Sequence, residues 1–301
     1  MSISAPRFTA TQRRRLVGYG FVLPAVLLIA VFTLIPFIQG IVLSFQQWDG
    51  VSLETPFVGL DNYRRVFDDT IFWGSMENAL IFGVVGFFVG NGVSLVMAVA
   101  VHSLRRGTGF FRTVFYVPGI FSVVVVGMMF SWLLSPRIGV LNRFLEAIGL
   151  GELQHNWLSD PSTALPAVAA VFIWYHWGFG FILFMAGLQD IPKELYEAAR
   201  LDGAGAWARF RYVTWPALAP VTTVVSILTL LAALQVFGTV QVLTNGGPGD
   251  HTQIPTLRIY QEAFQYNEYG PAAAMSVIFG FALVLLALLQ LWIVRRRARG
   301  A

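Results

Sequence analysis

Six long apolar stretches alternate with charged or turn-rich segments along the chain. They lie at residues 17–43, 78–101, 114–134, 164–188, 217–240 and 271–294, and none contains Asp, Glu, Lys or Arg. A bilayer core takes about 20 consecutive apolar residues as helix, so each stretch is long enough to cross it. The segments between them break the pattern, most plainly at Asn245-Gly-Gly-Pro-Gly249, which cannot continue a helix. The pattern predicts an all-α integral membrane protein with six transmembrane helices. The first stretch is too long for the apolar part of a signal peptide and no small-residue cleavage site follows it, so it is expected to remain as a span.

Composition agrees. Charged residues make up 12% of the chain, about half the usual share in soluble domains, and mean hydropathy is +0.66. With no cysteine, disulfides and thiolate metal sites are excluded. The basic balance, net +4, points to the membrane surface and not to nucleic acid, because of where the cations fall. Fifteen of the twenty Lys and Arg lie in the N-terminal tail, the 102–113 loop, the 189–216 loop and the C-terminal tail. The alternate loops carry five, against twelve acids. The positive-inside rule then predicts both termini in the cytoplasm. The expected organisation is a cytoplasmic tail 1–16, a first span 17–43, an extracytoplasmic loop 44–77, a five-helix core 78–294 and a cytoplasmic tail 295–301. Trp48, Trp73, Trp132 and Trp157 fall near the outer boundary, and Trp215 and Trp292 near the inner one, as an aromatic belt would place them.

The cytoplasmic loop 189–216 reads as two short helices about a hinge. Asp190 is expected to cap the first, Pro192 to suit its first turn, and Glu194 to complement the dipole there. Leu195, Ala198 and Ala199 share a face, and Asp202-Gly203 is a stop signal, since glycine accepts the left-handed conformation that ends helices. Trp207 begins a second face and Pro216 opens the next span. From periodicity alone this could be an amphipathic loop resting on headgroups. Two adjacent alanines beside Glu197 instead suit close approach to a protein groove, with a charge to pair across it.

Glu197-Ala-Ala199, with Gly203 and Pro216 following, closely resembles the EAA loop of bacterial ABC import permeases. Four further segments, in order, are similar to the sugar-permease branch that includes the larger maltose-importer subunit: Phe57-Val-Gly-Leu-Asp-Asn-Tyr63, Arg106–Thr113 leading to Tyr116-Val-Pro118, Leu243-Thr-Asn-Gly-Gly-Pro248 and Gly270-Pro-Ala-Ala-Ala-Met-Ser276. Val213 and Trp215 depart from the usual Ile and Leu of the loop, but both stay apolar. The resemblance implies a type I importer permease fold over the last five spans and a multi-pass protein of the bacterial inner membrane. It implies a second permease as heterodimer partner, two ATPase subunits docked on the loop, and an extracytoplasmic solute-binding protein. Glu197, Ala198, Ala199, Asp202, Gly203, Trp207 and Pro216 would form the coupling element. ATP and Mg would sit on the partner, and this chain would bind no cofactor or metal; its sequence holds no Gly-x-x-x-x-Gly-Lys-Ser/Thr loop.

Polar groups inside spans mark either helix contacts or a pathway. Asn91, His176, Gln235 and Gln241, with Trp174, Trp177 and Phe237, supply the amides and aromatic faces that suit a sugar, so a path is expected along Trp174–Trp177 of the fourth span and a Gln235–Gln241 face of the fifth. Asn91 follows Gly86-Phe-Phe-Val-Gly90, a pattern that also suits simple helix packing. The spans' lack of ionisable acids and bases disfavours a proton or ion pathway, and the scattered His, Asp and Glu disfavour a membrane enzyme. The expected solute is a di- or oligosaccharide, with a polyol or glycerol phosphate as the alternative.

Overall fold

Proline placement sets the shape of most spans. The computed structural model describes residues 10–104 and 106–299. Helix α1 (Ala10–Ile29) passes through a π turn at Ala30–Leu34 into α2 (Ile35–Leu43). Pro36 cannot donate a backbone hydrogen bond, and the preceding turn loosens where that bond is missing. Helix α3 (Asp61–Asp68) precedes α4 (Thr70–Val85), which continues through a second π turn, Gly86–Gly90, into α5 (Asn91–His102). Asp69 starts α4 by accepting from the Phe72 amide at 2.9 Å.

The third predicted span is not straight. α6 (Thr108–Tyr116) and the 3₁₀ turn Val117–Ile120 meet α7 (Val123–Leu133) at 95°. Pro118 within the turn and the extended Phe121 end the first half, and Ser122 caps the second. After α8 (Val140–Ala147), α9 (Pro161–Gln189) is the longest uninterrupted buried helix. Pro161 occupies its first turn and Asp160 caps it, accepting from the Ser162 amide at 2.8 Å and its hydroxyl at 2.7 Å. Those bonds, the hydroxyl's first, hold the Asp160 carboxyl below its ordinary pKa.

The fifth span also departs from expectation. α10 (Lys193–Leu201), α11 (Ala206–Arg209), a π turn Phe210–Thr214 and α12 (Trp215–Ala217) lead into α13 (Ala219–Leu234). A 68° bend separates Ala206–Ala217 from Ala219–Leu234. α13 stops at Leu234, short of the predicted 240, and a separate short helix, α14 (Gly238–Leu243), follows. α15 (Pro255–Phe264) and α16 (Tyr269–Arg299) complete the chain. Four helices are thus long and apolar enough to cross a membrane unaided, and two bent pairs bring the candidate spans to six among the described residues.

Two units result. Among the described residues, one comprises 10–66 and 262–277. In it Asn62, buried, donates to the carbonyls of Ser44 and Gln46, and Arg65 pairs with the buried Glu262 at 3.0 Å. The other comprises the described residues from 67 to 261 and from 278 to 299 and holds two apolar clusters. The first gathers Phe82, Val168, Phe172, Ala233, Val240 and Leu257; the second gathers Ala98, Phe181, Phe184, Leu188, Leu218 and Val225. Helices approach closely where glycine leaves room: Gly86 faces Ala233, Phe172 and Thr229, and Gly187 faces Val221 and Leu218.

Candidate coupling surface and solute cavity

The 189–216 loop is rigid at its base and open at its tip. Asp190 does not cap α10 as its position suggests; it closes α9, its amide donating to Ala186 O at 3.3 Å. The start of α10 carries no side-chain cap, because Pro192 holds the capping position. Glu194 does lie in the first turn, and Asp202 ends the helix with Gly203 at φ +76. The Ala204 amide reaches back to Ala199 O at 2.9 Å, the closure that a left-handed glycine permits. The Tyr196 and Thr214 hydroxyls meet at 3.0 Å and tie α10 to the π turn ahead of Pro216. Ile191, Tyr196, Val213 and Leu218 pack into or against the second apolar cluster, so the loop is continuous with the spans above it.

The loop exposes large apolar and aromatic side chains among its charged ones, which include Lys193, Glu194, Arg200, Asp202 and Arg211. Leu201 is 90% exposed, Trp207 73% and Tyr212 76%. Glu197 and Ala198 are exposed beside them and Ala199 is half-buried. Trp207 stacks on Phe210 at 5.6 Å, which fixes its ring. Leu201, Trp207 and Tyr212 thus stand open on a frame that is packed into the span ends. The Tyr196–Thr214 tie was not anticipated, since the partners lie 18 positions apart and neither is unusual by itself.

The solute-path candidates divide. A cavity of about 570 Å³ is lined by Val123, Tyr175, His176, Leu231, Gln235 and Phe237 among others. It forms because α13 ends early: Gln235 takes the capping position and Phe237 the irregular turn before α14, so both turn into the gap. Gln235 and Gln241 therefore do not share one helical face, and the half-buried Gln241 sits on α14. His176 Nδ1 lies 3.0 Å from Phe172 O, with its ring 4.2 Å from the Phe172 ring. The Tyr175 hydroxyl donates to Phe121 O at 3.0 Å, across the break in the third span. Phe237 packs on Tyr260 at 5.4 Å.

The other candidates serve contacts between helices. Asn91 is buried, its Oδ1 accepting from the Thr229 hydroxyl at 2.8 Å and its Nδ2 3.4 Å from the Ser226 hydroxyl. Trp174 packs edge-on against Phe130 at 5.0 Å. Trp177 accepts from the Ser94 hydroxyl through its carbonyl, while its buried indole Nε1 has no hydrogen-bond partner among the described residues. Val123 and Gly238, which meet at the cavity rim, carry no polar signal that sequence could have shown.

Residues 90–299 match the family of binding-protein-dependent transport system inner membrane components. The chain belongs to that family. The lactose transport system permease protein LacF of Rhizobium radiobacter is 34% identical to it, over 93% of this chain and 94% of that one. The sn-glycerol-3-phosphate transport system permease protein UgpA of Agrobacterium fabrum is 32% identical, over 94% and 96%. A crystal structure of a bacterial ABC transporter that imports the acidic polysaccharide alginate superposes with a TM-score of 0.83 at 24% identity, covering 94% of this chain and 96% of that one. The fold is therefore that of a type I ABC importer permease. As a member of this family the protein is a multi-pass inner-membrane transport subunit of a binding-protein-dependent importer, not an enzyme.

Proposed function

We propose that this chain forms half of the translocation path of a carbohydrate importer. It pairs with a second, similar permease, carries two ATPase subunits on its cytoplasmic face through the 189–216 loop, and receives solute from an extracytoplasmic binding protein. Both termini lie in the cytoplasm. The observation that carries this reading is the loop itself. Leu201, Trp207, Tyr212 and Glu197 are exposed on a frame that is packed into the span ends, so a force applied there moves the spans. ATP and Mg belong to the docked subunits; closure and reset of those subunits bias the spans between two packings.

A di- or oligosaccharide fits the cavity better than glycerol phosphate does. Gln235 offers an amide for hydroxyls, Tyr175 and Phe237 offer ring faces, and among the described residues no Lys or Arg lines the cavity to hold a phosphate. The glycerol-3-phosphate relative keeps a polyol or its phosphate as the second reading. Mass analysis of the complex that co-purifies in mild detergent should show a second permease and two ATPase copies. In that complex Glu197→Lys should abolish uptake while ATP hydrolysis loses its dependence on solute, and Gln235→Ala should weaken uptake without loss of the ATPase. Recovery of the chain alone under several gentle conditions would defeat the proposal.

A further inference from the structure

The segment between α7 and α9 contains a small helix that the transport reading leaves unused. α8 has three faces. Leu141, Asn142 and Leu145 turn inward: Leu141 packs on the first apolar cluster, and Asn142 is held by four bonds. Its Nδ2 donates to Pro136 O and His155 O, its Oδ1 accepts from Trp157 Nε1 at 2.7 Å, and its carbonyl accepts from Gln154. Arg143 and Glu146 form a charged face. Between the two runs a stripe at four-residue spacing, Val140, Phe144 and Ile148, is 48%, 57% and 51% exposed.

We infer that α8 is an interfacial helix whose Val140–Phe144–Ile148 stripe lies in the lipid headgroup and acyl boundary. Three observations select lipid as the occupant. The stripe continues an exposed apolar line along α7, the second half of the bent third span, through Val125, Met128 and Trp132, by way of Ile138. The connector is short and fixed: the Gly139 amide donates to Ser135 O at 2.9 Å, and a side chain at Gly139 would collide with the carbonyls of Ser135 and Leu133. α8 therefore cannot leave the level at which α7 ends. The stripe also offers no polar group for specific recognition, while the charged face lies beside it for water, the arrangement of helices that rest in a membrane surface. Trp157, bonded to Asn142, lies at the same end of the segment, as aromatic residues do at that depth.

The consequence is a depth anchor for the outer ends of α7 and α9, set against the bent junction at Phe121–Ser122. Only the name of the leaflet, outer, rests on the topology proposed above. The chain has no cysteine, so a single-cysteine variant labelled before assembly with its partners carries one fluorophore. Phe144→Cys, Val140→Cys and Glu146→Cys would each carry an environment-sensitive fluorophore in the full complex, reconstituted in phosphatidylcholine vesicles. Phospholipid spin-labelled near the headgroup should quench positions 144 and 140 at least about threefold more than 146, with aqueous iodide giving the reverse order, as burial about 5–10 Å into the boundary requires. Equal iodide quenching at all three positions would overturn the inference. Protection of 144 and 140 from both quenchers would also overturn it and assign the stripe to a protein: the second permease if protection is constitutive, the binding protein if it appears only on its addition.

Discussion

Gly178→Ala tests whether the bent third span is seated on α9 as described. Gly178 lies within α9 where α6 ends. A methyl group there would sit 2.5 Å from Phe115 O and 3.0 Å from Tyr116 Cα. Both are backbone atoms, so no side chain can rotate away, and α6 or α9 must move. Overpacking of this kind costs about 1–3 kcal/mol, while alanine gains up to about 1 kcal/mol over glycine in helix propensity. The steric term exceeds the propensity gain by up to about 2 kcal/mol. The control is Gly92→Ala, where nothing lies within 4 Å of the added group and the propensity term acts alone. Thermal unfolding of the purified complex, followed by tryptophan fluorescence, should show Gly178→Ala melting lower by about 2–4 °C for each kcal/mol and Gly92→Ala unchanged or slightly higher. Uptake should fall with Gly178→Ala, because the shifted α6 carries the Phe121 carbonyl away from the Tyr175 hydroxyl. A Gly178→Ala protein that melts at or above the wild type would refute the seating of α6 on α9.

Three further outcomes are expected. Asn91→Ala should destabilise the assembly by about 1 kcal/mol, the scale of polar contacts between membrane helices, and its effect should not add to that of Thr229→Ala; a changed solute KM with unchanged melting would instead place Asn91 on the path. Tyr196→Phe removes the bond to Thr214, worth about 1 kcal/mol, and should weaken solute stimulation of ATP hydrolysis more than it lowers melting temperature, measured on the same preparation. Asp160 caps α9 with a lowered carboxyl pKa, so its contribution is present above the ordinary value of 3.8 and is lost as pH falls through the lowered one. The melting difference between wild type and Asp160→Ala should therefore persist at neutral pH and close below pH 3.8.

The amino-acid sequence by itself determined the solvent, the number of candidate spans and the two-helix form of the 189–216 loop. Uncharged apolar runs long enough for a bilayer, and glycine and proline at helix ends, act through local physics that needs no neighbour. Gly203 after Asp202 is such a case: the left-handed turn it was expected to make is the turn it makes. Only the tertiary structure decided where helices break and which polar side chains meet. Val236 and Phe237 are ordinary span residues by hydropathy and Gln235 is a single amide in an apolar run, yet the helix ends there because α14 packs against α7, with Gly238 against Val123 and Gly127 against Val242. Asn91 and Gln235 look alike as amides within apolar runs. One is consumed by Thr229 and Ser226 on a facing helix and the other opens into a cavity. An amide's role follows from what stands opposite it, and that is fixed by packing between segments more than a hundred residues apart.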